Sequence, residues 1–222
     1  MTQNHSSQSL PPWSTATIEA YTTCPYRYYR LQVARDIELP DNPATNISRQ
    51  LHEAFANRLA EGVPLPDKFA RFERMLQKYL DMPGDKAVNL SLAVDNKMQP
   101  CGYDVAWARA VVDFCISKDN QAVLVSWRTG NYEPSDQLRL SAVLYFANHP
   151  ECEILHTRVL WLRNRKFEKE TYTRADIRNL WTLFVEPYKK WAASHKHGTW
   201  RQTPCGLCNK YCGIKDCGYC LS

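Results

Sequence analysis

The sequence predicts an α/β protein in which a mixed β-sheet is flanked by helices. Over residues 14–80, apolar side chains recur at helical spacing. From Val88 onward, short segments rich in β-branched and aromatic residues appear, first in succession and then alternating with helical segments. The 222 residues, 44% of them hydrophobic, can bury a substantial core. We therefore expect one domain over residues 14–222.

Helices are predicted for most of the chain before Val88. A polar lead over residues 1–13 is expected to be flexible. Ser14 is placed as the N-cap of a short helix that ends at the break formed by Cys24 and Pro25. Two further helices follow from their apolar spacing, over Ile47–Leu59 and Phe69–Leu80.

Strands and two further helices are predicted between Val88 and residue 194. The predicted strands are Val88–Val94, Trp107–Ile116, Ala122–Trp127 and Ile154–Leu162. A helix over Gln137–Ala147 lies between the last two, and a final helix over Arg174–Ser194 begins after the cap Thr173, with Asp176 in its first turn. The domain thus divides into a helical part (14–80), a sheet core (88–172), a helix (173–195) and a cysteine-rich tail (204–220).

Composition narrows the class of protein. The chain has no run of about 18 apolar residues and no signal-peptide core, so we expect a cytoplasmic protein with no membrane partner. A net charge of +5 slightly favours a polyanionic partner. Nine cysteines in such a protein argue against a disulfide scaffold and for a metal site.

The tail from Cys205 to Cys220 carries five cysteines in a C-x2-C-x3-C-x4-C-x2-C run with intervening glycines. Short glycine-containing loops allow several thiolates to converge on one centre, which predicts an iron-sulfur cluster or a zinc site. Cys24 lies far away in sequence, beside a predicted turn. From the residues alone it is either a ligand of the same centre or a small buried side chain.

The cysteine motifs resemble those of a known family, the RecB-type exonucleases of the PD-(D/E)XK superfamily, in the iron-sulfur branch that includes CRISPR-adaptation and phage exonucleases. The opening segment Cys24-Pro25-Tyr26-Arg27-Tyr28-Tyr29 is similar to that branch's first cysteine motif. The segments Gly206-Leu207-Cys208, Tyr211-Cys212-Gly213-Ile214 and Asp216-Cys217 are similar to its closing cysteines. The resemblance implies a restriction-endonuclease-like fold and a 4Fe-4S cluster held by Cys24, Cys208, Cys212 and Cys217, with Cys205 and Cys220 as extra thiols.

The resemblance extends from about residue 14 to residue 220. Its middle part rests on four segments: Met98–Cys101, Arg109–Asp113, Ala122–Gly130 and Asp136–Leu138. Active members of the family hold magnesium or manganese with carboxylates and keep a lysine beside the attacking water. The family pattern therefore implies an acid at position 126 and a lysine at position 128.

This chain departs from that pattern at its centre. Ser126 offers a neutral hydroxyl in place of the acid, and Arg128 keeps the charge but cannot give up a proton. The implied site is thus vestigial, with its positions at His52, Asp113, Ser126, Arg128 and Gln137. Further departures are Asn89 in place of a glutamate and Ser48 and Ala110 in place of glycines.

DNA contacts are predicted at Arg27, Arg30 and Arg128. Arg27 and Arg30 are interleaved with aromatic side chains, a composition that suits phosphate contact and base stacking but also the packing of a helix end. Two other basic stretches are either DNA-contacting or ordinary solvated surface: the turn over residues 161–166, and the set Lys189, Lys190, Lys196, His197 and Arg201.

Three functions remain open on the sequence. The first is a DNA-binding or DNA-processing protein of phage or mobile-element type with lost or weak nuclease activity. The second is an active Mg- or Mn-dependent exonuclease whose site is rearranged around Glu53, Asp104 or Asp136. The third is a non-catalytic interaction module or inhibitor that engages a protein partner in replication, recombination or host defence.

Overall fold

The computed structural model describes residues 10–39, 42–130, 136–206, 208 and 212–219 of the chain. The α-helices are α1 (Thr15–Thr23), α2 (Pro25–Tyr28), α3 (Pro43–Glu61), α4 (Glu73–Leu80), α5 (Gln137–Asn148) and α6 (Ile177–His197). The strands are β1 (Asp85–Val94), β2 (Ala108–Lys118), β3 (Gln121–Arg128), β4 (Ile154–Trp161) and β5 (Lys166–Thr173). A π-helical turn over Tyr29–Val33 extends α2, and 3-10 turns occupy Asp67–Phe72, Tyr103–Val105 and Arg174–Asp176.

The five strands form one mixed sheet in the order β1-β2-β3-β4-β5. All neighbouring pairs are antiparallel except β3 and β4, which are parallel and joined through α5. The predicted α/β class with a mixed sheet is therefore confirmed. Strand β5 was not predicted from the sequence; it forms a hairpin with β4 and occupies an edge of the sheet. Its charged residues on both faces suit an edge strand but hide the alternation by which strands are recognised.

Helices cover both faces of the sheet, and each face has its own core. One core joins α1, α5 and α6 to the sheet, and the other joins α3, α4 and the turn before α4 to the opposite face. Strand β3 contributes to both, because Leu124 faces the first core while Val125 and Trp127 face the second. A strand buried on both faces reads as a continuous apolar run, which is why β3 was recognisable from its sequence.

The side chains of β1 and β2 change faces at Asn89 and Asp113. Val112 belongs to the first core but Phe114 belongs to the second, although residues two apart in a regular strand share a face. On β1, Asn89 adopts a left-handed φ of 52°. The register is the same on both sides of this point, with Val88 opposite Phe114 and Leu90 opposite Val112. Both strands therefore break their pleat together, and Asn89 lies opposite Asp113.

The predicted flexible lead ends earlier than expected. Residues 1–9 lie outside the described part of the chain, but Trp13 is fully buried and pairs with Ala108. The Trp13 N–H donates to the Trp107 carbonyl at 3.1 Å, and the Arg109 N–H donates to the Trp13 carbonyl at 2.9 Å. Its ring packs against those of Trp107, Trp181, Phe184 and Tyr188. Trp13 is thus part of the core and corrects the expected boundary of the lead.

The first and the last helix begin at the predicted caps. Ser14 accepts a hydrogen bond from the Thr17 N–H at the start of α1. Thr173 and Asp176 form the reciprocal capping box before α6. In the described ranges, no helix combines the length and the apolar character needed to cross a membrane.

Replacing Trp13 with alanine is expected to lower the free energy of unfolding by about 3–5 kcal/mol, because a fully buried indole leaves a large cavity. Denaturant unfolding followed by circular dichroism measures this loss. Trp13→Phe is the matched control: the indole Nε1 finds no acceptor among the described residues, so phenylalanine removes an unsatisfied donor and is expected to cost far less. Equal losses in the two variants would contradict this account.

Candidate functional site

The carboxylate of Asp113 is the centre of a hydrogen-bond cluster at the middle of the sheet. Its Oδ2 accepts from the Ser126 hydroxyl at 2.7 Å and from the Trp127 N–H at 2.9 Å. Its Oδ1 lies 3.1 Å from Nδ1 of His52. Because an ionised carboxylate only accepts, the proton of that contact must reside on His52 Nδ1. Three of the five predicted site residues, His52, Asp113 and Ser126, therefore meet directly.

Asp113 holds this position because β2 and β3 separate beside it. Their ladder of paired residues ends at Phe114 and Val125, and the next N–H in the series, that of Trp127, bonds to the Asp113 side chain instead of the β2 backbone. The carboxylate thus replaces a missing ladder bond. A buried backbone donor left without a partner would be costly, so the acid has a structural reason to be here as well as a functional one.

A cleft of about 970 Å³ opens at the end of β3, between α1 and α3. His52 and Arg128 line it, together with the following Thr129 and Gly130 and with residues of α1. The Thr129 hydroxyl bonds to the Ser48 hydroxyl at 2.8 Å, which ties the end of β3 to α3. Arg128 is half-buried and makes no ion pair with another described residue. Its charge is available to a ligand in this cleft.

Gln137, the fifth predicted position, begins α5 but is not among the described residues that line the cleft. The predicted alternative acids are also dispersed. Asp136 lines the cleft and forms an ion pair with Arg139 at 2.8 Å, whereas Glu53 lines a separate groove. Asp104 is exposed in the 3-10 turn before β2. Of these three acids, only Asp136 borders the cleft.

Two contributors to the site were not predicted from the sequence. The backbone N–H of Trp127 has no signature in a sequence, because every residue except proline carries that group. The cleft wall formed by α1, including Glu19 and Thr22, was also missed, since only folding brings it opposite α3. In the resembled family, a glutamate stands at the position of Asn89. That match could have indicated that Asn89 lies opposite Asp113.

The cysteine-rich tail lies against α2 and the turn that follows it. The Tyr26 N–H donates to the Arg201 carbonyl at 3.0 Å, and Arg27 Nε donates to the Cys212 carbonyl at 3.2 Å. Arg30 forms an ion pair with Asp216 at 2.7 Å and another with Asp36. That ion pair holds the pKa of the Asp216 carboxyl below its usual value. Arg27 and Arg30, predicted to contact DNA, therefore also hold the two ends of the chain together.

Cys24 and three cysteines of the tail, Cys205, Cys208 and Cys212, lie in one region. Cys24 and Cys212 are buried, and the sulfurs of Cys205 and Cys208 are 4.0 Å apart. Burial raises the pKa of the Cys212 thiol, and the nearby thiols of Cys208 and Cys24 raise it further. Gly213 adopts a left-handed φ of 74°, which permits the tight turn after Cys212. Cys217 is half-buried, and Cys220 lies outside the described residues.

These positions bring thiols from both ends together without forming a closed ligand set. Within the described ranges, no three cysteine, histidine or acidic side chains are arranged to hold a metal ion as they stand. The kind and location of the donors nevertheless suit a thiolate-bound centre, because Cys212 has the sulfurs of Cys24 and Cys208 in its surroundings.

The chain is similar in fold to known structures but not in sequence. No protein-family model matches it, and no curated protein matches it. A protein of Eubacterium rectale named "Putative exonuclease" superposes with a TM-score of 0.54 at 10% identity, over 95% of this chain and 91% of that protein. The protein SSO0001 superposes with a TM-score of 0.50 at 11% identity, over 98% of this chain and 90% of the other.

At such low identity the likeness shows the fold alone. The mixed five-stranded sheet flanked by helices is an exonuclease-like fold of the restriction-endonuclease type. The cleft at the end of β3 and the Asp113 cluster beside it are built on this sheet.

Replacing Asp113 with alanine is expected to destabilise the protein by about 2–3 kcal/mol, because it leaves the Trp127 N–H and the Ser126 hydroxyl without their acceptor. Asp113→Asn is the control, since its amide oxygen can still accept both bonds and its NH2 can donate to His52 Nδ1 once the imidazole proton moves to Nε2. Thermal unfolding of the two variants compares them. A loss in the asparagine variant as large as that in the alanine variant would show that the negative charge, rather than the acceptor, is needed.

Proposed function

We propose that this protein binds DNA through a nuclease-like cleft and has lost most or all nuclease activity. The observation that carries the proposal is the bond from the Ser126 hydroxyl to Asp113 Oδ2. The resembled family has a second acid at position 126. This chain has Ser126 there, and its hydroxyl donates a hydrogen bond to the first acid, Asp113. The likeness in fold to a "Putative exonuclease" supports DNA as the partner.

The surroundings of Asp113 argue against a well-bound divalent cation. Magnesium and manganese favour several oxygen ligands, of which carboxylates contribute most of the negative charge. Both oxygens of Asp113 already accept protein hydrogen bonds, Oδ2 from the Ser126 hydroxyl and the Trp127 N–H and Oδ1 from His52 Nδ1. A cation would have to break these bonds, and it would lie beside the cleft that holds the positive charge of Arg128.

Arg128 suits a role in binding rather than in cutting. A guanidinium remains charged at any physiological pH and matches two phosphate oxygens with its planar fork, but it cannot serve as a proton donor or acceptor for an attacking water. The main chain at Arg128 is held by its carbonyl, which accepts from the Leu162 N–H at 2.8 Å. From this anchored position, the flexible side chain offers its positive charge to a backbone phosphate in the cleft.

The proposal predicts salt-dependent DNA binding without metal-dependent cleavage. Binding of fluorescein-labelled single- and double-stranded oligonucleotides is measured by anisotropy from 25 to 200 mM salt. Arg128→Gln is expected to weaken binding and to reduce the slope of log K against log salt by about 1, the effect of one lost phosphate contact. Arg178→Gln, which removes an exposed arginine of α6 outside the cleft, is expected to leave the slope unchanged.

Incubation of end-labelled DNA with the protein and manganese tests the loss of activity. We expect no cleavage above that of Asp113→Asn. Cleavage by the unaltered protein that Asp113→Asn abolishes would instead establish an active exonuclease with a rearranged site. An absence of salt-dependent DNA binding at low ionic strength would remove the proposal altogether.

We also propose that the thiols of the two chain ends hold an iron-sulfur cluster, with Cys24, Cys208, Cys212 and Cys217 as ligands and zinc as the alternative metal. The burial of Cys24 and Cys212 and the contacts of Arg27 and Arg30 with the tail support it. Such a centre would supply a structural cross-link between the ends of the chain, with no part in hydrolysis.

Anaerobic purification tests this proposal by visible absorption and by iron, sulfide and zinc analysis. A brown protein that loses its colour and its iron in Cys24→Ser is the expected result. Cys101→Ser is the control, because Cys101 precedes β2 and is not part of either cysteine motif. A colourless protein with one equivalent of zinc would establish the alternative, and a protein free of both metals would contradict the proposal.

A further inference from the structure

A groove of about 740 Å³ lies beside the candidate cleft, between α3 and the turn that joins β4 to β5. We call it the basic groove. Its floor is apolar and includes Leu51, Phe72 and Leu160, and its rim carries the four cations Arg71, Arg163, Arg165 and Lys166. No acidic side chain is among the described residues that line it. The groove therefore combines an apolar surface with one sign of charge.

Three of the four rim cations have no ion-pair partner among the described residues. Arg163 and Arg165 are exposed, and neither makes an ion pair or a hydrogen bond with another described residue through its side chain. Arg71 is also exposed, with its guanidinium 4.7 Å from the centre of the Phe72 ring. These charges cost free energy to place close together unless an anion accompanies them. A polyanionic ligand would relieve their mutual repulsion.

The basic groove continues into the cleft that holds His52 and Arg128. Thr129 and Trp161 line both cavities. The main chain links them as well, because Arg128 lies opposite Trp161 in the parallel pairing of β3 with β4, and the Leu162 N–H donates to the Arg128 carbonyl. A linear polymer bound at Arg128 can therefore extend along the groove without leaving the surface.

The floor of the groove favours single-stranded over double-stranded DNA. A duplex keeps its bases stacked inside and presents phosphates and groove edges to a protein, so an apolar floor would remain unused. A single strand exposes base faces that stack on aromatic side chains while the cations follow its phosphates. Phe167 is 47% exposed near the start of β5, on the rim of the groove, and Lys169 Nζ lies 5.4 Å from the centre of its ring. A base that stacks on this ring displaces the exposed, flexible Lys169 side chain or takes the opposite face.

We infer that the basic groove is a track for single-stranded DNA that leads into the candidate cleft, with Arg163 and Arg165 contacting phosphates and Phe167 stacking on a base. The inference rests on the proposed DNA binding and names the form of DNA and its path. It assigns a role to the basic turn over residues 161–166, which the sequence left undecided between a DNA contact and solvated surface.

Anisotropy with a labelled 12-nucleotide thymidine oligomer tests the track. The double variant Arg163→Gln/Arg165→Gln is expected to bind at least about tenfold more weakly at 50 mM salt and to lower the salt slope by about 1.4, the value for two phosphate contacts on a single strand. Phe167→Ala is expected to weaken binding at least about fivefold with an unchanged slope, since stacking releases no counterions.

The control is Lys97→Gln/Arg178→Gln, which removes the same two charges from exposed positions in the turn after β1 and on α6, outside both cavities. It is expected to bind like the unaltered protein, so a general effect of net charge is separated from a local contact. All variants are at exposed positions, and circular dichroism checks that they remain folded. A duplex of the same length is expected to bind the unaltered protein more weakly and to be indifferent to Phe167→Ala.

The outcomes distinguish this inference from the proposed function. If the unaltered protein binds neither oligomer, the proposed DNA binding itself fails. If it binds the single strand but the groove double variant binds as tightly as the control, DNA binding stands and the track is refuted. The groove would then belong to another ligand, such as an acidic amphipathic segment of a protein.

Discussion

The Asp113 carboxylate is the interaction on which the organisation of the site depends. It lies where β2 and β3 diverge, and it takes the place of the backbone acceptor that the sheet no longer supplies to the Trp127 N–H. The divergence is what opens space at the end of β3 for a cleft. Ser126 and His52 complete the cluster from β3 and α3, so one side chain links the sheet to the helical layer above it.

A second constraint acts between the ends of the chain. Arg30 bridges the turn after α2 to Asp216 of the tail, and Arg27 bonds to the carbonyl of a tail cysteine. These contacts, together with the burial of Ile214, hold the tail against α2 and the turn after it. They share no residue with the Asp113 cluster. A substitution in one of the two sets therefore leaves the contacts of the other intact.

Much of the fold could be predicted because its signals are local. Ser14 and Thr173 mark the starts of the helices that they cap. Strand β3 is mostly apolar because both of its faces are buried. Strand β5 could not be predicted, since an edge strand rich in lysine and glutamate shows no apolar alternation. Trp13 was misplaced in a flexible lead because its partners, among them Trp181 and Tyr188, are far away in sequence.

The residue types of the site could be predicted from the sequence, but several of the contacts between those residues could not. His52, Asp113 and Ser126 were named through a resemblance, and their meeting depends on long-range pairing that spacing cannot reveal. The arginines of the Tyr26–Arg30 segment were named for DNA because a sequence does not show that Asp216 lies beside one of them. Three expectations stay predictions: the ligands of the iron-sulfur cluster, the phage or mobile-element origin, and the protein partner.

The left-handed backbone at Asn89 limits which side chains can stand opposite Asp113. Asparagine tolerates that conformation, whereas a glutamate there would carry a strain of roughly 1–2 kcal/mol. Position 89 lies opposite Asp113, where the resemblance implies an acid. Building a metal-binding centre around Asp113 would therefore take more than new acids at positions 89 and 126. The main chain of β1 would have to change its conformation as well, so this part of the sheet resists redesign by side-chain substitution alone.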